Sequence, residues 1–185
     1  MLRDMNLQGI SPRDNRQIEV VANGLPLWGG GQLAVDATLV SPVRRDGRPQ
    51  PWAAGVDGAQ LHRARARKET KYAELLQSRR CRLVVIGMEV GGRWSEEALD
   101  FIRLLARSKA RACPRLLRKS VQMAWSLRWT GLLAVAAQRA LACSLLELPV
   151  DEAGCDGEEP FLEDVLHEAR LATPPTPSRL PAWAR

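Results

Sequence analysis

A single carboxylate, Asp36, lies in the middle of an otherwise apolar and β-branched stretch that runs from Gln32 to Val40, QLAVDATLV. A stretch of this kind is typical of a strand that is buried on both faces. An ionised carboxylate is costly to bury unless it is paired, hydrogen-bonded or bound to a metal. The sequence therefore predicts a central strand whose acid needs a partner, and a polar anchor bonded to backbone and a metal ligand both meet that need.

Two further strand patterns flank this one, at residues 18–22 (IEVVA) and at residues 81–90 (CRLVVIGMEV). Glu19 is the one charge of the first pattern, and an Asn-Gly turn signal follows it. If the first two strands pair as an antiparallel hairpin across the connection LPLWGGG, Glu19 and Asp36 reach the same end of the sheet. Glu89, near the end of the third pattern, is either a third acid of that site or a strand-end charge.

Helical patterns occupy much of the remaining chain. They are predicted at residues 60–77, at 96–112 behind the N-cap Ser95, at 116–129, at 132–148 and, as a short helix, at 159–171. Prolines and Asp-Gly dipeptides predict a loop over residues 41–58. The order of elements indicates a mixed α/β core that is followed by an α-helical C-terminal extension.

We expect four segments along the chain. They are a polar N-terminal segment (1–16), an α/β core (17–112), a helical extension (113–149) and a tail (150–185) that is first acidic, then proline-rich and largely disordered. Residues 129–148 are apolar enough to warrant a membrane check. Gln138 and Arg139 near the centre of that stretch cost several kcal/mol in a bilayer core, so we expect a helix that is buried or forms an interface.

Charge is distributed unevenly over the 185 residues. Residues 1–150 carry 24 Lys and Arg against 13 Asp and Glu, whereas residues 151–185 carry 3 against 8. A basic body favours a polyanionic partner, because each neutralised phosphate releases a counterion. Solubility and an arginine-rich coding bias are the alternative explanations. The four cysteines form no CxxC pair, which argues against structural zinc, and the polar N-terminus has no signal-peptide pattern, which indicates an intracellular protein with reduced thiols.

Two carboxylates on neighbouring strands suit Mg²⁺, which takes hard oxygen ligands and keeps several waters. A nearby cation would then stabilise charge that develops on a phosphodiester, and Lys68 and Lys71, followed by Tyr72, are placed on the next helix to supply it. The alternatives are that both lysines belong to a solvated helix face and that Tyr72 is an aromatic residue at the edge of the core.

The ordered combination of QIEVVANGLPLWGGGQLAVDATLVSP, K-E-T-K-Y and CRLVVIGMEVGGRW resembles a known family over about residues 16–110. It is similar to the restriction-like endonuclease domain, of the PD-(D/E)xK fold, from the C-terminal region of non-LTR retroelement reverse transcriptase polyproteins. The resemblance implies a restriction-endonuclease-like core sheet with flanking helices. It also implies Mg²⁺ or Mn²⁺ on Glu19 and Asp36, and catalytic roles for Lys68, Lys71 and Tyr72 in a K-x-x-K-Y pattern.

The same resemblance implies DNA as the partner, with RNA as an alternative, a nuclear location and no membrane. The expected nucleic-acid contacts are five basic residues: Arg44, Arg45, Arg63, Arg65 and Arg67. Ile18-Glu19 stands where the family has Pro-Asp, and no zinc knuckle or reverse-transcriptase signature precedes it, so a truncated or inactive domain is one alternative. Another is a non-catalytic basic nucleic-acid-binding or assembly module. Missing polyprotein domains would in either case pack on the helical extension.

Overall fold

The computed structural model describes residues 13–149 and 159–172 of the chain. Its elements are β1 (Val20–Ala22), β2 (Gln32–Val40), α1 (Ala59–Lys71), α2 (Ala73–Gln77), β3 (Cys81–Glu89), α3 (Glu96–Ala110), α4 (Arg118–Leu146) and α5 (Leu162–Ala172). The predicted mixed α/β class is confirmed, and so is the short helix predicted near the C-terminus. The disorder predicted for the tail concerns 150–158 and 173–185, which lie outside the described residues, as does most of the predicted polar N-terminal segment.

The sheet has three strands in the order β1-β2-β3. β1 and β2 are antiparallel, with Val20 opposite Val35, which confirms the predicted hairpin. β2 and β3 are parallel, with Asp36 opposite Val85. Parallel neighbours need a crossover connection, and the chain between β2 and β3 supplies it as α1 and α2.

The two faces of the sheet pack against different helices, because successive side chains of a strand point to opposite sides. One face carries the side chains that pack with Phe101 of α3: Leu33, Val35 and Val84. The other face packs against the α1–α2 layer through two small groups, which are Ala34, Leu83, Val85, Tyr72 and Leu75 in one and Val40, Leu61 and Ala64 in the other. Asp36 alternates with the α3-facing residues and therefore lies on the α1 side of β2.

A second core lies among the last three helices. It is built largely from small side chains around one indole: Ala106, Ala110, Val121, Ala124, Trp125, Val165 and Ala169. Small residues allow the helix backbones to approach closely, so this core fixes α4 and α5 against α3.

The start of α3 matches the sequence prediction, because the backbone N–H of Ala98 donates a hydrogen bond to the Ser95 hydroxyl oxygen at 3.2 Å.

The prediction of two helices at 116–129 and 132–148 is wrong, since α4 continues without a break from Arg118 to Leu146. Thr130 and Gly131 were the weakest helix formers at the presumed junction. The Thr130 hydroxyl donates to the Ser126 carbonyl oxygen at 2.7 Å, so Thr130 stays within the helix. One interior glycine costs only about 1 kcal/mol relative to alanine, which a helix of 29 residues tolerates.

The helix predicted at 60–77 is also interrupted. Tyr72 adopts φ −123° and ψ 42°, which ends α1 and separates it from α2. Its side chain is completely buried in the core, and its hydroxyl donates to the carbonyl oxygen of Gln17 at 2.5 Å. A tertiary contact of this strength overrides a helical propensity that is weak for aromatic residues.

The C-terminal half of α4 is largely exposed, although Gln138 Nε2 donates a hydrogen bond to the Val90 carbonyl oxygen at 3.3 Å. Leu132, Val135, Leu145 and Leu146 expose more than half of their side chains. By length and composition α4 is apolar enough to cross a membrane, and no part of its most apolar 18-residue window is buried. Of the two predicted alternatives, burial does not fit most of residues 129–148, because α5 covers α4 near Val121, Trp125 and Trp129. Whether this half forms an interface stays a prediction.

Candidate functional site

Asp36 has a charged partner on α1. Its side chain is 2% exposed, and the Lys68 ammonium lies 2.6 Å from Oδ2. No hydrogen bond of regular geometry reaches that oxygen from the described part of the chain, so the contact is chiefly ionic. The Lys68 side chain retains 22% exposure, which keeps its ammonium partly hydrated. The carboxylate is thus neutralised by a group that solvent or a ligand can reach.

Lys71 and Tyr72 follow on the same side of the sheet. The Lys71 ammonium lies over the Tyr72 ring, 4.9 Å from its centroid. The Tyr72 phenol raises the pKa of Lys71, and the Asp36 carboxylate raises it further by a smaller amount. The charges of Lys71 and Asp36 therefore interact, and Lys68, Lys71, Tyr72 and Asp36 lie close to one another. Because Tyr72 is buried and bonded to backbone, its role within this geometry is to hold the chain in place.

Glu19 approaches β2 from the start of the neighbouring strand. Glu19 lies in a bend one residue before β1, whose first residue, Val20, pairs with Val35. Glu19 is exposed, and its Oε2 accepts a hydrogen bond from the Ala37 backbone N–H at 2.9 Å. The Glu19 carboxylate is thus bound to the backbone of the residue after Asp36, and one of the two predicted acids is buried whereas the other is at the surface.

Arg16, which no sequence pattern identifies as a site residue, fixes the segment that carries Glu19. Its guanidinium donates to the Lys71 carbonyl oxygen and lies 2.7 Å from Oε1 of Glu74 and 2.6 Å from Oδ2 of Asp14. The hydrogen bond from Arg16 lowers the pKa of Glu74. Together with the bond from Tyr72 to Gln17, these contacts bind residues 14–17 to the α1–α2 junction. No local sequence pattern signals such a long-range contact.

A cavity of about 480 Å³ lies beside this neighbourhood, between α1 and the start of α3. Val85, the pairing partner of Asp36, lines it together with Thr38, His62, Trp94 and Glu97. Burial raises the pKa of Glu97. The cavity therefore has both apolar and ionisable walls, and Asp36 and Lys68 do not line it.

The five predicted arginine contacts fall into two groups. Arg44, Arg45, Arg63 and Arg67 are exposed. Arg65 instead turns towards the protein, with its Nε 2.7 Å from Oε2 of Glu97 and its NH1 3.5 Å from Oε1 of Glu69. Two carboxylates already compensate the charge of Arg65, which leaves it less available to a phosphate than the other four.

Glu89 is distant from the pair of acids. It lies four residues beyond Val85 on β3, about 13 Å along the strand, and its Oε2 is 3.6 Å from Nε of Arg93. Of the two interpretations of Glu89, the strand-end charge fits this position. Within 13–149 and 159–172 no three or more His, Cys, Asp or Glu residues are grouped as a metal cluster, so a metal at this site would rest on Glu19 and Asp36 alone.

Comparison of the chain with family models, with curated proteins and with solved structures gives no significant match.

Proposed function

We propose that this chain is a metal-dependent, restriction-like DNA endonuclease domain of retroelement origin. The observation that carries the proposal is the contact between the buried Asp36 carboxylate and the Lys68 ammonium, with the Glu19 carboxylate bound to the backbone N–H of the next residue, Ala37. Nucleases of this kind need acids to hold a divalent ion and a cation close to the phosphate that is attacked. The finer part of the fold, a restriction-endonuclease-like core sheet, belongs to the same proposal.

The donor set suits Mg²⁺ or Mn²⁺. Asp36 Oδ2 is buried and lacks a regular hydrogen bond from the described residues, and Glu19 offers a second, exposed carboxylate. Mg²⁺ is usually bound through one or two carboxylates, and substrate phosphates and waters complete its shell. An ion held here would polarise the phosphodiester and lower the pKa of a bound water.

The proposed role of the two lysines is to stabilise negative charge on the phosphate. Lys68, whose side chain is 22% exposed, would supply positive charge beside a phosphate bound at Asp36. Lys71 has a raised pKa and stays protonated at neutral pH, so it stabilises the negative charge of the transition state and does not serve as a general base. Arg44, Arg45 and the exposed arginines of α1 would contact the DNA backbone.

Plasmid nicking tests the proposal. Wild-type protein with Mg²⁺ or Mn²⁺ is expected to nick supercoiled DNA, and Asp36→Asn is expected to lower the rate by a factor of about 10² or more, because it removes a metal ligand. Asp100→Asn is the matched control, since Asp100 is exposed and pairs only with Arg103 in the same turn of α3. A wild-type protein that neither nicks DNA nor binds Mn²⁺ in calorimetry would overturn the proposal.

A second candidate is a non-catalytic nucleic-acid-binding module. The observation in its favour is that Lys68 already neutralises Asp36, so the fold needs no ion to accommodate this carboxylate. This candidate expects DNA binding that weakens steeply with salt and is unchanged by EDTA and by Asp36→Asn. The distal half of α4 would then serve assembly, as the packing site for a further domain of the polyprotein.

A further inference from the structure

The loop between β2 and α1 contains a small ordered hairpin of basic character. Val43 and Pro49 form an antiparallel bridge. The N–H of Arg44 donates to the Arg48 carbonyl oxygen at 2.7 Å, and the N–H of Gly47 donates to the Arg44 carbonyl oxygen at 3.0 Å. The hairpin therefore presents Arg44, Arg45 and Arg48 on a defined turn, and all three are exposed.

An unusual aromatic residue follows this hairpin directly. Trp52 is 76% exposed and has φ +67°, in the left-handed region that favours glycine. An exposed indole gains no stability from burial, and a left-handed backbone is strained for a bulky residue. The fold therefore exposes the Trp52 indole to solvent, although neither the hydrophobic effect nor the backbone conformation favours tryptophan there.

The backbone at Trp52 is nevertheless firmly held. The Trp52 carbonyl oxygen accepts from the N–H groups of Gly55 at 3.1 Å and Val56 at 2.9 Å. Gln60, a buried polar residue in the first turn of α1, donates from Nε2 to the Pro51 carbonyl oxygen at 2.9 Å. The indole is thus presented on a rigid support, which lowers the entropy lost when it binds a partner.

The position of the hairpin relates it to the candidate site. β2 ends at Val40, four residues beyond Asp36 and about 13 Å along the strand, and the hairpin begins at Val43. The hairpin therefore follows the end of the strand that carries Asp36.

We propose that Trp52 is a stacking platform for an unpaired base, with Arg44, Arg45 and Arg48 holding the backbone phosphates on either side of it. This inference rests on the proposed function in taking nucleic acid as the substrate, and it adds single-stranded or locally opened character to that substrate. Stacking needs the free face of a base and tolerates any sequence, whereas the arginines supply charge without base readout.

Fluorescence anisotropy with a labelled 20-nucleotide single strand, and with its duplex, tests this inference. Trp52→Gly is expected to weaken binding of the single strand by about 5- to 150-fold, the range measured for loss of one stacked base, with a smaller loss for the duplex. Trp52→Phe is expected to retain most of the affinity. Phe161→Gly is the matched control, because Phe161 is another aromatic residue with 80% exposure and lies beside α5. Arg44→Ala and Arg45→Ala are each expected to lower the salt slope by about 0.7.

The stability of Trp52→Gly and its affinity for the oligonucleotide are measured separately. Since glycine suits φ +67°, Trp52→Gly is expected to unfold at the same denaturant concentration as wild type or a higher one. Affinity that is equal in Trp52→Gly and wild type overturns the inference and leaves the nuclease proposal intact. Trp52-dependent binding without nicking or Mn²⁺ binding supports the inference and overturns the nuclease proposal. Wild-type protein that binds no oligonucleotide overturns both, and a protein would then be the occupant of Trp52.

Discussion

Removal of the Lys68 ammonium tests the ionic contact on which the site depends. In Lys68→Met the stem that covers β2 is kept, but Asp36 is left buried at 2% exposure without its partner. Breaking a buried ion pair from one side costs about 3–5 kcal/mol. Lys68 is itself 22% exposed and the charge of Lys71 also reaches Asp36, so we expect the lower end, about 3 kcal/mol.

Thermal and urea unfolding monitored by circular dichroism would measure this cost. For a chain of this size about 3 kcal/mol corresponds to a Tm that is lower by about 6–12 °C. Mn²⁺ is expected to restore part of the loss, since a cation on Asp36 replaces the missing charge, and about 2.7 kcal/mol returns at 100 times Kd. Lys119→Met, on the exposed surface of α4, is the control and should unfold like wild type.

Replacement of both partners completes the test. Asp36→Leu combined with Lys68→Met is expected to be close to wild type in stability, because two apolar groups of similar volume leave no unpaired charge. A cost below about 1 kcal/mol for Lys68→Met, or a double variant that is no more stable than the single one, would refute the argument that Lys68 compensates a buried carboxylate.

Three further predictions concern the two cores. Tyr72→Phe removes the hydroxyl that binds the Gln17 carbonyl and should cost about 1–2 kcal/mol in urea unfolding, with faster hydrogen exchange in β1; unchanged exchange there would count against the anchor. Trp125→Ala should cost about 3–5 kcal/mol, whereas Leu145→Gln, 75% exposed, should change the free energy of unfolding by less than about 0.5 kcal/mol and raise solubility; equal costs would contradict the assignment of the second core. Burial raises the pKa of the Cys81 thiol, so the folded state favours the neutral thiol, and the stability this provides is lost as the pH rises above about 9. Urea midpoints of Cys81→Ala should therefore change less between pH 8 and pH 10 than those of wild type.

The elements near the site could be predicted because their patterns are local. The apolar run around Asp36 predicts a buried strand, and the need of its acid for a partner follows from the cost of burying charge. The helix that carries Lys68 was predicted on residue spacing alone. What spacing does not provide is the contact between them, which requires the parallel pairing of β2 with β3 and the packing of α1 across both strands.

The parts that were missed are fixed by contacts between residues far apart in the chain. Arg16 binds the Lys71 carbonyl and Tyr72 binds the Gln17 carbonyl, each across 55 positions, so neither propensity nor periodicity identifies these contacts as anchors of the N-terminal segment. The backbone of Trp52 belongs to the same class, since tryptophan does not favour a left-handed conformation and only hydrogen bonds from later residues impose it. The continuity of α4 was missed because two helices were predicted on either side of Thr130 and Gly131, where the helix continues.

The anchoring of residues 14–17 also has a consequence for biosynthesis. Glu19 leaves the ribosome before Ala37, which binds its carboxylate, and before Tyr72 and Glu74, which anchor its segment. At about 5–20 residues per second, Tyr72 follows Glu19 by roughly 3–10 seconds. During that interval the nascent chain carries both acids without the junction that aligns them. The site is therefore completed after the crossover has been synthesised, and a ribosome pause within α1 would prolong the incomplete state.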